Sequence, residues 1–236
     1  MSNEDIKRHA IAALVADDFL MAVLVLKGGN ALNIAYDLSN RGSIDIDFSI
    51  ESDFTPDEKK TLKKKFETLL NDEFNKVDIK VYDVKFEERP KNIVERVKDF
   101  WGGYKLSFKI IEYEKYQRYF EDSDAVRRNS IVVGRKGSTV FEIDISKYEY
   151  IGGLKKVDLE GSIVQVYSPE MIAIEKLRAI CQQNPKYKEI VIRLNRTPRT
   201  RDFYDINVLT THFNIDFTKP ENVDLVKIIF EAKKVP

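Results

Sequence analysis

Two aspartates, Asp45 and Asp47, stand one residue apart in the segment GSIDIDFSI, residues 42–50. The segment alternates in polarity, which predicts a half-buried β-strand with both aspartates on its polar face. Aspartate is a poor strand former, and two carboxylates about 5 Å apart repel each other by about 3 kcal/mol at an effective dielectric constant of 20. A divalent cation such as Mg²⁺ would turn this repulsion into coordination. The alternative is an exposed strand face where water screens both charges.

The segment FEIDIS, residues 141–146, repeats this alternation. It predicts a second half-buried strand with Glu142, Asp144 and Ser146 on the polar face. If this strand neighbours the first, Asp144 adds a third carboxylate. Three carboxylates on adjacent strands would suit a metal-dependent phosphoryl-transfer site, in which metal ions hold the attacking and leaving oxygens.

A glycine pair, Gly28 and Gly29, lies between an apolar run and a helix predicted from about Asn30 to Leu38. Two glycines let backbone N–H groups approach a ligand closely, and the start of a helix attracts phosphate. The alternative is an ordinary tight turn between a strand and a helix. The sequence contains neither the G-x-G-x-x-G pattern of dinucleotide-binding folds nor a P-loop.

A lysine at the edge of an apolar helix face is the next candidate. In SPEMIAIEKLRAICQQ, Lys176 lies between Ile172 and Ile180 at four-residue spacing. Its ammonium group either extends to water or points at an anion. Farther on, Asp202 and Asp205 are three residues apart on one face of a helix predicted from about Thr200.

The overall charge gives no general attraction to nucleic acid, because 39 Lys and Arg residues balance 39 Asp and Glu residues. Any RNA partner would have to be held by a local patch. One clearly basic stretch could receive a polyphosphate or an RNA backbone, and it contains Lys186, Lys188, Arg193, Arg196, Arg199 and Arg201.

The cysteine content and the apolar segments predict a soluble cytoplasmic protein that does not associate with membranes. The single cysteine, Cys181, excludes an intrachain disulfide and fits a reducing compartment. The most apolar run, residues 19–26, is too short to span a bilayer. We interpret it as part of a buried strand over residues 21–27.

The order of the predicted elements indicates an α+β fold with a helical end. Helices are expected at residues 3–17, with Ser2 as the cap, and from Pro56, with Thr55 as the cap. Strands are expected within residues 76–86, 104–111 and 138–146, and the pattern becomes helical from Ser168 onward. We therefore predict an α+β domain at residues 1–160 and a helical C-terminal lobe at residues 161–236, packed against it.

Taken in order, these motifs resemble a known family. LKGGNAL, RGSIDIDFS, FEIDIS, VYSPEMIAIEKLRAI and RDFYDI are similar to segments of the AbiEii/AbiGii toxin family of nucleotidyltransferases, which belongs to the DNA polymerase β-like superfamily. The resemblance runs from about residue 20 to 210. It implies a nucleotidyltransferase-like mixed β-sheet flanked by helices.

The resemblance also implies a role for each candidate residue. Gly28 and Gly29 would hold the triphosphate of an NTP donor, and Asp45 and Asp47 would bind Mg²⁺ or Mn²⁺. Asp144 is the best match to the third carboxylate, with Glu142 as the alternative. The remaining matches are Arg41 and Ser43, just ahead of the aspartate pair, and Lys176 and Asp202 in the helical lobe.

The implied activity is transfer of an NMP from an NTP to an acceptor hydroxyl, with RNA or tRNA as the first candidate acceptor and an antitoxin protein as a partner. One position departs from the pattern, because Asn30 stands where the superfamily usually has Ser or Thr. Asparagine can cap a helix and donate an N–H to a phosphate oxygen. Two alternatives remain open: a nucleotide-binding or interaction module without turnover, which Asn30 favours, and a metal-dependent phosphoesterase.

Overall fold

The computed structural model describes residues 1–38, 45–191 and 199–236. Within these ranges the chain folds around one mixed β-sheet of seven strands. The predicted Arg41, Ser43, Arg193 and Arg196 lie outside the described residues.

The sheet combines parallel and antiparallel neighbours. Its order is β3-β4-β5-β2-β1-β7-β6, where the β1/β7 and β2/β5 pairs are parallel and the other neighbours are antiparallel. The strands are β1 (Val25–Lys27), β2 (Ile46–Ser49), β3 (Ile79–Arg89), β4 (Gly103–Glu112), β5 (Phe141–Ser146), β6 (Lys155–Leu159) and β7 (Ser162–Val166).

Helices accompany the sheet and make up the C-terminal part. They are α1 (Asn3–Val15), α2 (Asp18–Val23), α3 (Gly28–Asn30), α4 (Pro56–Phe74), α5 (Tyr113–Tyr119), α6 (Ser123–Arg128), α7 (Pro169–Cys181), α8 (Thr200–His212) and α9 (Pro220–Glu231). The predicted caps Ser2, Thr55 and Ser168 each accept a backbone N–H in the first turn of their helix. In the described ranges, no helix is long and apolar enough to cross a membrane.

One hydrophobic core joins the sheet to helices from both ends of the chain. In β5, Phe141, Ile143 and Ile145 are buried while the residues between them are partly exposed, which confirms the predicted alternation. The same core includes Leu209 of α8 and Ile229 of α9. The helices of the C-terminal part are therefore held to the sheet by shared apolar burial.

The structure corrects two predicted elements near the glycine pair. Residues 21–27 are not one strand, because α2 occupies Asp18–Val23 and only Val25–Lys27 is extended. The Asp17 side chain accepts the N–H of Leu20 and so starts a helix, and a short apolar run cannot by itself distinguish a helix from a strand. The expected helix over 30–38 begins instead at Gly28 and continues as a π-helical turn at Ala31–Ala35.

The sheet extends slightly past the predicted boundary at residue 160. Strands β6 and β7 form an antiparallel pair around that point, and β7 also pairs with β1. The helical part therefore starts at Pro169. The division of the chain into two domains stays a prediction.

Candidate active site

The two central carboxylates lie on neighbouring parallel strands. Asp47 of β2 is directly opposite Asp144 of β5 in the sheet register, as expected if the FEIDIS strand neighbours the first. Asp47 is partly buried, whereas the Asp144 side chain is 45% exposed. The two strands thus bring two oxygen ligands to the same place.

Both carboxyl groups are harder to ionise than usual. Burial raises the pKa of Asp47 to about 7; Glu175, Asp144 and Asp45 contribute to the rise, while Lys27 opposes it. Burial also raises the pKa of Asp144, against the opposing effect of Lys105. Negative charge at this point of the sheet is therefore destabilising without a compensating cation.

The two aspartates of the D-x-D pattern are not equivalent. Asp45 precedes β2 and is exposed, while Asp47 lies within the strand. Asp47 lines the central cavity, and the described lining residues do not include Asp45. The backbone carbonyl of Asp45 accepts a hydrogen bond from the side-chain amide of Asn30.

The backbone of Gly28 lies close to the Asp47 side chain on β2. Its φ angle is +68°, a left-handed conformation that favours glycine. A Cβ atom at this position would lie 2.7 Å from Oδ2 of Asp47. Glycine is therefore required here both by backbone conformation and by the neighbouring carboxylate.

Asn30 supports this region from the inside. Its side chain is fully buried, and its amide holds the Asp45 carbonyl. The N-cap position of α3 is Lys27, so Asn30 does not cap the helix. The described cavity-lining residues do not include Asn30, and its contact with phosphate stays a prediction.

A cavity of about 620 Å³ gathers most of the predicted site. The sheet side supplies the glycine pair and the two opposed carboxylates, and helices α7 and α8 supply the rest. The predicted residues in its lining are Gly28, Gly29, Asp47, Asp144, Lys176 and Asp202.

Lys176 points its ammonium at carboxylates instead of extending to water. Its Nζ lies 2.8 Å from Oδ2 of Asp205 and 3.4 Å from Oδ1 of Asp202, and its side chain is only 12% exposed. Asp202 also pairs with Arg199 at 3.3 Å. This ion-pair group ties α7 to α8 at the cavity wall.

The structure contains a buried network of charged residues at the cavity that the sequence analysis did not predict. Lys27 Nζ lies 2.7 Å from Glu175, and Arg178 lies 2.7 Å from Glu149. Lys233, near the end of the chain, lies 3.5 Å from the same Glu149 carboxylate. These five residues all line the cavity.

The network is held together by mutual compensation. Burial opposes ionisation of Glu149, but Lys27, Arg178 and Lys233 lower the pKa of this carboxyl well below its usual range. Burial also opposes protonation of Lys27, but Glu149 and Glu175 keep its pKa above the usual value. Lys233 is the exception, because burial lowers its pKa to about 8 despite the attraction of Glu149.

A helical projection alone could not reveal this network. It assigns Glu175 and Arg178 to the polar side of α7, and polar faces usually meet water. Here the polar side of α7 faces other charged residues across the cavity. The available signal was Lys27, a lysine within an apolar run directly ahead of the glycine pair.

The donor atoms around Asp47 and Asp144 fit a hard divalent cation. Carboxylate oxygens suit Mg²⁺, and burial, the main cause of the raised pKa values, disfavours the ionised form of both groups unless a cation compensates it. Lys105 lies 3.7 Å from Asp144 and 2.8 Å from Glu142, and its charge lowers the pKa of Asp144 in part. Among the described residues, no three His, Cys, Asp or Glu side chains converge as a ligand set.

A mixed sheet with opposed aspartates beside a glycine turn, and with a lysine in the same cavity, is an arrangement suited to phosphoryl transfer. The sequence model of the family described as "Nucleotidyl transferase AbiEii toxin, Type IV TA system" matches residues 10–235. The chain belongs to this family and is a nucleotidyltransferase of the α+β class. The resemblance seen in the sequence is thereby confirmed.

Three solved structures are distantly similar to this chain. JHP933 from Helicobacter pylori has 17% identity and a TM-score of 0.48, over 98% of this chain and 78% of that one. An antigenic nucleotidyltransferase-like protein from Paracoccidioides brasiliensis has 15% identity and a TM-score of 0.44, over 98% and 93%. The antibiotic-resistance factor ANT(2'')-Ia has 12% identity and a TM-score of 0.42, over 99% and 95%. No curated protein sequence gives a significant match.

Proposed function

We propose that this protein is the toxin enzyme of a toxin–antitoxin system, acting in the cytoplasm. It transfers an NMP from an NTP to a hydroxyl group of RNA, with tRNA as the first candidate, and it depends on Mg²⁺ or Mn²⁺. The observation that carries the proposal is the meeting of Gly28, Asp47, Asp144 and Lys176 in one cavity. Family membership supports the type of transfer and an antitoxin partner.

The paired carboxylates on β2 and β5 would hold the metal ion. Asp47 and Asp144 are the ligands that the described geometry favours, and Asp45 lies close enough to influence both. A bound divalent cation would neutralise charge on the triphosphate and on the leaving pyrophosphate. It would also favour the ionised form of Asp47.

The chain's own groups would place the donor. The lack of a side chain at Gly28 leaves room for phosphate oxygens beside Asp47. Lys176, held by Asp202 and Asp205, would present its ammonium to the triphosphate from the opposite wall. Catalysis in this arrangement comes mainly from positioning and from charge stabilisation.

Asp144 is the candidate proton acceptor. Its pKa is raised by burial, which makes the carboxylate a better base near neutral pH. The acceptor hydroxyl gives its proton to Asp144, its oxygen bonds to the α-phosphorus, and pyrophosphate leaves. Transfer of the NMP is then complete.

The predicted basic stretch supports an RNA acceptor. Arg199 lines the cavity itself, and Arg201, Lys186 and Lys188 are exposed. Lysine and arginine at such positions neutralise backbone phosphates. Because the net charge of the chain is zero, we expect these basic residues to provide the attraction to RNA.

The test is a labelling assay with purified protein, Mg²⁺, total cellular RNA and each of four α-labelled NTPs. Wild type and Asp57→Asn should label a discrete RNA band, while Asp47→Asn should lose label by at least a hundredfold. Asp57 is a matched control because its side chain is 91% exposed in a surface ion pair. Equal labelling by Asp47→Asn would contradict the proposal.

The same samples separate the alternatives. NTP binding without transfer to RNA would favour a module that keeps the fold without turnover. Release of phosphate from the RNA in the absence of any NTP would favour a phosphoesterase. Absence of both binding and transfer would refute the proposed donor.

A further inference from the structure

One end of the cavity carries residues that none of the steps above uses. Trp101, Ala179 and Gln182 line it together with Lys176. Trp101 is the only tryptophan of the chain and is partly exposed. A partly exposed tryptophan in a ligand-sized cavity offers a flat apolar surface to an aromatic ligand.

The Trp101 ring is fixed in place. Its centroid lies 6.4 Å from the Tyr187 ring, and Lys233 Nζ lies 6.0 Å from its centroid. Its backbone N–H donates to the Val97 carbonyl at 2.9 Å. The ring is therefore packed from behind while part of it still lines the cavity, and it can receive a stacked group at small entropic cost.

Gln182 is tied to the same support. Its Nε2 donates to the Tyr187 hydroxyl at 3.2 Å, and that hydroxyl donates to the Lys233 carbonyl at 2.7 Å. Tyr187 is fully buried, so it holds the amide and the tryptophan in a fixed relation. An amide carries both a donor and an acceptor, the pair needed to recognise the edge of a nucleobase.

The two polar residues at this wall are separated along α7 and its cap. Lys176 and Gln182 are six residues apart, which corresponds to about 9 Å along a helix axis, so the two side chains can contact different parts of one nucleotide. Lys176 pairs with Asp202 and Asp205, whereas Gln182 and Trp101 both contact Tyr187. Ala179 lies between Lys176 and Gln182 on the cavity wall, and its small side chain leaves room for a sugar.

We propose that Trp101 and Gln182 form the base-binding end of the donor site. The base of the NTP stacks on Trp101, and Gln182 contacts its edge. This inference rests on the proposed function, because it takes the NTP to be the donor. The base then lies at the part of the cavity that Trp101 and Gln182 line. Gln182 becomes a residue that determines which NTP is preferred.

The single tryptophan provides a direct binding signal. Fluorescence of the wild-type protein with Mg²⁺ is titrated with ATP, CTP, GTP, UTP and inorganic tripolyphosphate. Stacking predicts quenching by at least one NTP and none by tripolyphosphate, which lacks a base. Equal quenching by tripolyphosphate, or none by any NTP that is transferred, would overturn the inference.

Kinetics of variants test the same point without fluorescence. Trp101→Leu should raise the KM for the preferred NTP about tenfold, in the range expected for one lost stacking contact. The kcat and the KM for RNA should change less than twofold. Trp101→Phe keeps an aromatic ring, so its KM for the NTP should lie between those of wild type and Trp101→Leu. The control is Phe120→Leu, which removes a ring that is 61% exposed elsewhere in the protein and should leave this KM unchanged.

The results also distinguish this inference from the proposed function. If wild type transfers label but Trp101→Leu raises the KM for RNA instead of that for the NTP, the ring serves the acceptor and the inference fails while the function stands. If wild type neither binds nor transfers any NTP, both fail. Gln182→Leu should change the ratio of kcat/KM among the four NTPs at least fivefold, and an unchanged ratio would remove Gln182 from the proposal.

Discussion

The Asp47 side chain is partly buried near other carboxylates and lies against the backbone of Gly28. Burial raises the pKa of its carboxyl group from the ordinary value of about 3.8 to about 7. Below about pH 4 the group is protonated in both states and costs nothing. As the pH rises from about 4 to 7, only the unfolded chain releases the proton, so the folded state loses stability.

Asp47→Asn should therefore stabilise the protein at neutral pH while it abolishes transfer. Without metal, we expect a Tm gain of about 4–8 °C at pH 8, corresponding to about 2 kcal/mol, and little gain at pH 4. Thermal unfolding by circular dichroism across this range measures the difference. A gain that is the same at both pH values would show that the Asp47 charge is not its cause.

Removal of Arg178 tests how much an incomplete buried ion network destabilises the protein. Arg178→Met leaves Glu149 and Glu175 with one partner fewer, and breaking such a pair costs about 3–5 kcal/mol. Lys227→Met is the control, because Lys227 and its partner Asp224 are 69% and 67% exposed and such pairs contribute little. Urea unfolding of both variants measures the contrast, and equal stabilities would contradict a compensated network.

At the scale of elements, the junction between β1 and α3 places the backbone of Gly28 against the Asp47 side chain. Gly28 has a φ angle of +68° and Gly161 a φ angle of +88°. Around Gly28 an added Cβ meets Asp47, whereas around Gly161 nothing lies within 4 Å. The two glycines share backbone strain but differ in what they touch.

Gly28→Ala should therefore lose transfer about a hundredfold, since small displacements of reacting groups have effects of that size. Gly161→Ala should keep wild-type transfer while it loses about 1 kcal/mol of stability from the same left-handed conformation. Labelling rates and thermal unfolding of both variants test this pair. Loss of transfer in Gly161→Ala would mean that strain alone, and not the contact with Asp47, explains the effect.

At the scale of the whole molecule, the cavity lies between the sheet and the C-terminal helices. Glu149 follows β5, Arg178 belongs to α7 and Lys233 follows α9, so the charge network connects these parts. Lys233 also donates to the carbonyls of Phe100 and Lys147. A ligand in this cavity would contact both parts and stabilise their arrangement.

An NTP with Mg²⁺ at about a hundred times its Kd should raise the free energy of unfolding by about 2.7 kcal/mol. For a chain of this length the corresponding Tm rise is about 5–10 °C. Removal of the metal with EDTA should abolish most of the shift, and Asp47→Asn should not show it. A shift that persists in EDTA would mean that the metal is not needed for donor binding.

Much of the frame could be predicted from the sequence, because local rules decide it. Side-chain caps at Ser2, Thr55 and Ser168 start their helices as expected. The period-two pattern of FEIDIS gave the correct burial in β5. The strand predicted over residues 21–27 was wrong, because a short stretch of apolar residues suits a helix as well as a strand.

The sequence by itself determined the family, the order of the main elements and the residue types available for chemistry, since motifs and hydrophobic periodicity are local properties. Tertiary structure alone decided that Asp47 is partly buried while Asp45 is exposed, and that Arg178 is buried among charges. Burial and pKa depend on groups that distant segments bring together, such as Lys27, Glu149 and Lys233. No pattern within one element encodes that proximity.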